Sequence, residues 1–167
     1  MFEDLTTGGY AAWDPPAPDG VYVDGRLEVY DVDFLDVYVQ QVANPAAWQA
    51  EMDRRQVQSV LLFHWWANHQ ALARYLVRDS RWALVYYDET TLVAVRREGN
   101  EDVVARAQAA FPAARAETER LLLEPGPSWQ VPVAQERALA VYAALLEGFG
   151  QRNAAAPFRK RLSELGS

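Results

Sequence analysis

Residues 82–97 read WALVYYDETTLVAVRR, and the reading of this stretch decides the fold. Two runs rich in apolar and β-branched residues, 82–87 and 91–95, flank Asp88, Glu89 and Thr90, the pattern of an antiparallel hairpin with a tight connection. Upstream, 58–64 (QSVLLFH) is a continuous apolar run bounded by polar residues, as expected of a buried central strand. Between the two, 69–78 aligns Leu72, Tyr75 and Leu76 at helical spacing. A strand, a helix and a hairpin in that order predict an α/β layer.

Earlier in the chain, 14–20 (DPPAPDG) is a cluster of breakers, and Val21-Tyr22-Val23 after it reads as a short strand. Asp24-Gly25 then allows two readings. It is either a two-residue hairpin turn leading into Leu27, Val29 and their neighbours, or part of a strand that ends at Arg26 and runs by a loop into a helix from about Asp33. Residues 33–43 place Phe34, Val37 and Tyr38 on one stripe, with Asp31 or Asp33 able to cap. Asn44-Pro45 restarts the chain as cap and first helical residue, and Trp48 and Met52 share the inner face of the helix that follows. After Gly99 only helices are expected: 101–111, a second from Pro112 to Leu123, then 132–149 beyond the break at 125–127, and a basic helix at 157–165. The expected architecture is therefore α/β: a small mixed, mostly parallel sheet flanked by helices, closed by an antiparallel hairpin, with an all-helical C-terminal appendix. Residues 1–98 form the α/β domain and 99–167 the helical appendix packed on it.

Composition narrows the chemistry. Half of the 167 residues are apolar and 23% are charged, which suits one ordered domain. The absence of Cys excludes disulfides, thiolate metal sites and Cys nucleophiles, and two His leave little for metal binding, so no metal or cofactor is expected. A net charge of −7 argues against nucleic-acid binding, which needs basic surface. No stretch approaches the roughly 18 apolar residues that span a bilayer, and the first residues carry acids where a leader would carry bases. At face value the chain is cytoplasmic. Phosphate-loop, dinucleotide and nucleophile-elbow spacings are all missing.

Two places can carry a ligand. Asp24 and Arg26, displayed around Gly25 with Tyr30 behind, offer paired donors and acceptors where a parallel strand would end. The plainer reading is a turn with a local Asp–Arg pair. His64, Trp65, Trp66 and Asn68 follow the second strand, where indole rings can stack on sugar faces and His and Asn can bond hydroxyls. Here the plainer reading is a pair of core plugs, with Asn68 capping the next helix. His64 and His69, five residues apart without a third ligand, do not read as a metal pair. A small enzyme using Asp24, Arg26 and His64 in one strand-end crevice is a further reading of the same residues.

Gly8-Gly9-Tyr10-Ala11-Ala12-Trp13, then Val21-Tyr22-Val23-Asp24-Gly25-Arg26 and Tyr30, resembles a pattern in the C-terminal soluble domains of bacterial multi-pass membrane proteins similar to integral-membrane glycosyltransferases that use lipid-linked sugars. Later pieces fit in order: Val57, Val60, Leu61 and Leu62; Trp82, Leu84, Val85, Tyr86 and Asp88; and a closing strand ending in Arg96. The match covers about residues 8–97 and departs at Ala11-Ala12 and at His64-Trp65-Trp66. The resemblance implies that Asp24-Gly25-Arg26 ends a strand and leads to a helix. It also implies an extracytoplasmic domain cut from a larger membrane protein, and no catalytic residue carries over. The expected role is non-catalytic: assisting the binding of a carbohydrate or lipid-linked sugar, or contacting the parent protein's membrane part. The alternative is a stand-alone protein-interaction module using the C-terminal helices.

Overall fold

The computed structural model describes residues 1–4, 7–11, 22–124 and 132–165. The breaker cluster at 14–20, Ala12, Trp13, Val21 and the break at 125–127 lie outside the described residues. Four strands form one sheet: β1 (Phe2–Glu3), β2 (Ser59–Phe63), β3 (Trp82–Tyr87) and β4 (Thr91–Arg96), in the spatial order β1-β2-β4-β3. Helices α1 (Gly8–Ala11), α2 (Val32–Ala43), α3 (Pro45–Arg54) and α4 (Ala67–Arg78) interleave with them, and α5 (Glu101–Leu123), α6 (Pro132–Gly148) and α7 (Arg152–Leu165) follow. The chain is thus α/β, with a small mixed sheet and C-terminal helices.

The balance of pairings differs from the expected mostly parallel sheet. Only β1 and β2 are parallel, with Phe2 opposite Val60 and Glu3 opposite Leu61; β4 is antiparallel to both β2 and β3. The reason lies in the α4 crossover. It carries β3 in the same direction as β2 but one strand away, and β4 returns through the gap between them. The hairpin leaves the sheet open, with β1 and β3 as its edges.

The expected strand at 21–23 is also corrected. Tyr22 and Val23 lie outside the sheet, and the Tyr22 N–H donates to Glu3 Oε2 (2.7 Å) instead of to a neighbouring strand. After Gly25 comes a 3-10 turn (Leu27–Val29), so the hairpin reading fails; the chain runs by a loop into α2, but among the described residues no strand ends at Asp24-Gly25-Arg26 as the resemblance implied. Asp31 caps α2 by accepting the Phe34 N–H (2.6 Å), and Asn44 caps α3 by accepting from Ala46 and Ala47, with Pro45 at the first position.

One contiguous core runs from Phe2 to Phe158. Trp48 sits at its centre, 5.4 Å from the Phe2 ring and 5.7 Å from Trp82. Val60, Leu62, Leu92 and Ala94 fill the same face of the sheet. Ala83 and Val95 point to the other face, under Val104 of α5. Leu139, Tyr142, Leu145 and Leu146, the apolar stripe of α6, are all buried.

Two helices run through prolines that were expected to begin them. α5 is continuous across Pro112 and α7 across Pro157. Pro112 removes the N–H that the Gln108 carbonyl would accept. Gln108 is exposed, so water can satisfy that carbonyl, and the adjacent Phe111 gains an edge contact on Tyr87 (4.7 Å). Interior proline costs a helix about 3 kcal/mol relative to alanine. Pro112→Ala is therefore expected to raise stability in urea unfolding by about 1–3 kcal/mol. A loss of stability instead would show that the backbone shape at Pro112 is needed to seat Phe111.

Candidate functional site

The chain between β1 and α2 folds back on itself at Gly8. Thr7 and Gly8 donate their N–H groups to the Asp4 carbonyl (3.1 and 2.9 Å), and a Cβ on Gly8 would sit 1.8 Å from the Val23 carbonyl oxygen. Only glycine permits that approach. It places Asp24 against the turn, with its side chain buried. Asp24 Oδ2 accepts from Arg26 Nε (2.9 Å) and Nη2 (2.6 Å), and Oδ1 accepts from the Arg26 backbone N–H (2.9 Å). The Asp24 N–H in turn donates to Tyr30 Oη (3.1 Å), whose ring stacks on Phe34 (5.1 Å). The Arg26 guanidinium holds the Asp24 carboxyl below its ordinary range. Asp24, Arg26 and Tyr30 are therefore brought together as one unit. The Arg26 side chain is 65% exposed, and its Nη1 has no protein partner among the described residues.

Two further acids belong to this corner. The Asp4 carboxylate, fully buried, accepts the Phe63 N–H at the end of β2 and the Thr7 N–H (3.2 Å). Glu3 is buried as well, and burial pushes its carboxyl above the ordinary range, with the Tyr22 N–H pulling the other way. The sequence reading missed both. Their only signal is that they follow an aromatic residue, Phe2.

His64 is turned elsewhere. Its ring nitrogen Nε2 lies 2.9 Å from the Asp88 carbonyl, which can only accept, so Nε2 carries the proton and Nδ1 presents the lone pair. Nδ1 is buried without a protein partner among the described residues. A small chamber of about 10 Å³ is lined by His64, Gln70, Arg74, Val141, Ala144 and Leu145. His69 donates from Nδ1 to the Phe63 carbonyl (2.8 Å). Both imidazoles thus tie loops to the sheet. Among the described residues no hydrogen bond or ion pair joins His64 to Asp24 or Arg26, and no group of His, Asp and Glu is arranged to hold a metal.

Trp65 and Trp66 flank the start of α4. Trp66 is its N-cap residue, so Asn68 falls in the first turn of the helix; its side chain lies outside the described residues. Trp66 is 47% exposed, and Trp65 stacks on Phe63 (6.5 Å). The Arg137 guanidinium of α6 lies 4.8 Å from the Trp65 ring centre and 5.4 Å from that of Trp66. Arg137 has no acidic partner among the described residues. It too was missed, because α6 reads in sequence by its apolar stripe. Indole faces, one exposed cation and an exposed edge suit a polar ligand with both a ring face and acceptor oxygens.

Comparison with protein-family models, with curated proteins and with solved structures found no match.

Two expectations follow. Gly8→Ala should lower stability by about 1–3 kcal/mol or more through forced backbone movement. Gly9→Ala, whose Cβ would meet nothing within 4 Å, should be near neutral, and equal urea midpoints for the two would overturn the argument. Burial lowers the His64 pKa below 6.5, so its contribution to stability is complete above that pH and is lost as pH falls through the folded value. In that window the loss is at most about 1.4 kcal/mol per pH unit. His64→Gln should flatten the slope. An imidazole found by NMR to titrate at or above 6.5 would contradict the assignment.

Proposed function

We propose that this chain is a non-catalytic extracytoplasmic domain of a glycosyltransferase-like membrane protein, and that it assists binding of a carbohydrate or lipid-linked sugar. The observation that carries the reading is convergence. Gly8, Asp24, Arg26 and Tyr30, which carry the family-like pattern in the sequence, meet in one corner, held by the Gly8–Val23 approach and the Asp24–Arg26 fork. The exposed Arg26 guanidinium supplies donors for hydroxyl or phosphate oxygens. Trp66 supplies an exposed ring face. No nucleophile–base pair is built from these residues, which supports a binding role over a catalytic one.

No helix among the described residues is long and apolar enough to cross a membrane. The alternative role, protein docking through the C-terminal helices, needs an uncovered apolar stripe on α6. That stripe is in the core.

Titration with monosaccharides and with a sugar-phosphate headgroup, followed by Trp fluorescence, tests the binding role. A saturable change is expected, weakened at least about tenfold in Arg26→Ala and in Trp66→Ala, a loss of about 1.4 kcal/mol. If no sugar alters the signal, and Arg26→Ala leaves the activity of the full-length parent protein unchanged, the ligand role is wrong.

A further inference from the structure

Helix α2 presents to solvent a face that the fold does not use. Its core side is made by Tyr38 and Val42, with Phe34 half-buried beside them. On the outer side Val32, Asp36 and Val39 run at helical i, i+4, i+7 spacing with Asp33 beside them, while Val37, expected on the stripe of Phe34 and Tyr38, is half-exposed on the far flank. Val32 is 72% exposed, Val39 55% and Val37 49%, and Val29, in the preceding turn, is 59% exposed. These four are most of the large apolar side chains that the described surface leaves exposed.

The charges on this face are all of one sign. Several acids elsewhere are matched by arginines: Glu51 with Arg54 and Arg55, Asp79 with Arg81, Glu117 with Arg120, Glu147 with Arg159. Asp33 and Asp36 have no ion pair among the described residues, and residues 27–53 contain no Lys or Arg at all. β-Branched apolar residues left in water beside unmatched carboxylates cost solubility without contributing to the core, unless something covers them.

We propose that the exposed face of α2 docks a basic amphipathic helix of another protein or protein segment. Its Lys and Arg side chains would meet Asp33 and Asp36, and its apolar residues would cover Val32 and Val39. The charge selects this occupant. An anionic membrane surface would be repelled by the same carboxylates, and an acidic helix would leave four or more like charges facing one another. The proposal does not depend on the sugar-binding role of the Asp24 corner.

The probe is a synthetic peptide of leucines and lysines, about four helical turns long, with a leucine–glutamate peptide as its counterpart. Binding to the whole chain is read from backbone amide NMR shifts. Shifts should concentrate in residues 28–43 for the lysine peptide and be absent for the glutamate peptide. Asp33→Asn with Asp36→Asn should weaken binding at least about tenfold, as should Val32→Asn with Val39→Asn; both pairs lie on a solvent face and leave the core intact. Glu98→Gln with Glu136→Gln removes the same charge elsewhere and should leave affinity unchanged. Equal weakening by both charge pairs, or shifts spread over the surface, would reduce the effect to the attraction of a −7 protein for any cation and overturn the proposal. So would light scattering that shows a dimer of this chain lost on Asp33→Asn with Asp36→Asn, which would assign the face to a second copy.

Discussion

The hydrogen bond from the Phe63 N–H to the buried Asp4 carboxylate fixes where the first residues of the chain meet the sheet. β1 is only two residues long and would be a weak strand by its ladder alone. Asp4 extends its hold past the last paired residue, closing the end of β2 with a charge-assisted bond. The turn that Asp4 accepts from then brings Gly8 beneath Val23, and that contact sets Asp24 and, through it, Arg26 and Tyr30. The buried carboxyl accepts from two backbone donors, the Phe63 and Thr7 N–H groups, which offset the loss of water. Its position then dictates the geometry of the corner.

Those dependencies explain which parts of the fold were legible in the sequence. β2, the β3–β4 hairpin, α4 and the caps at Asp31 and Asn44 depend on residues near one another in the chain, so their periodicity and capping chemistry show directly. β1 does not, since two residues carry no period. Its partner lies 59 positions away by the Asp4 bond, and sequence reasoning gives such a pairing no local mark. Val21-Tyr22-Val23 carries a stronger strand composition than Phe2-Glu3, yet the Tyr22 N–H goes to the Glu3 side chain and not to a ladder. Propensity there lost to the buried carboxylate's need for donors. At Pro112 the rule that proline starts a helix lost to an exposed carbonyl that water can satisfy and to the Phe111 contact.

Of the candidate ligand residues, Asp24, Arg26 and Tyr30 were adjacent enough in sequence to be grouped, and they do form one unit. His64 was grouped with them only by the notion of a strand-end crevice. Its ring instead serves the hairpin, because a neutral imidazole in the core needs an acceptor for Nε2–H and the Asp88 carbonyl provides it. Arg137 shows the reverse failure. No spacing rule links a residue in the middle of α6 to indoles at the start of α4, and only the packing of the two helices puts a guanidinium over those rings.

The register of the hairpin carries one more consequence. Leu84 pairs with Ala94 and Tyr86 with Val93, so Val85 is an extra residue in β3. The insertion reverses the alternation beyond it and delivers Tyr87 to the face shared by Leu92. β3 is also an outer strand of the sheet, and a bulge there bends the line of free backbone groups out of the flat array that another chain could extend. The opposite edge is too short to serve as a template. A bulged edge on one side of the sheet and a two-residue edge on the other are both poor templates for strand addition, so an open sheet can stand beside the exposed acidic and apolar face of α2.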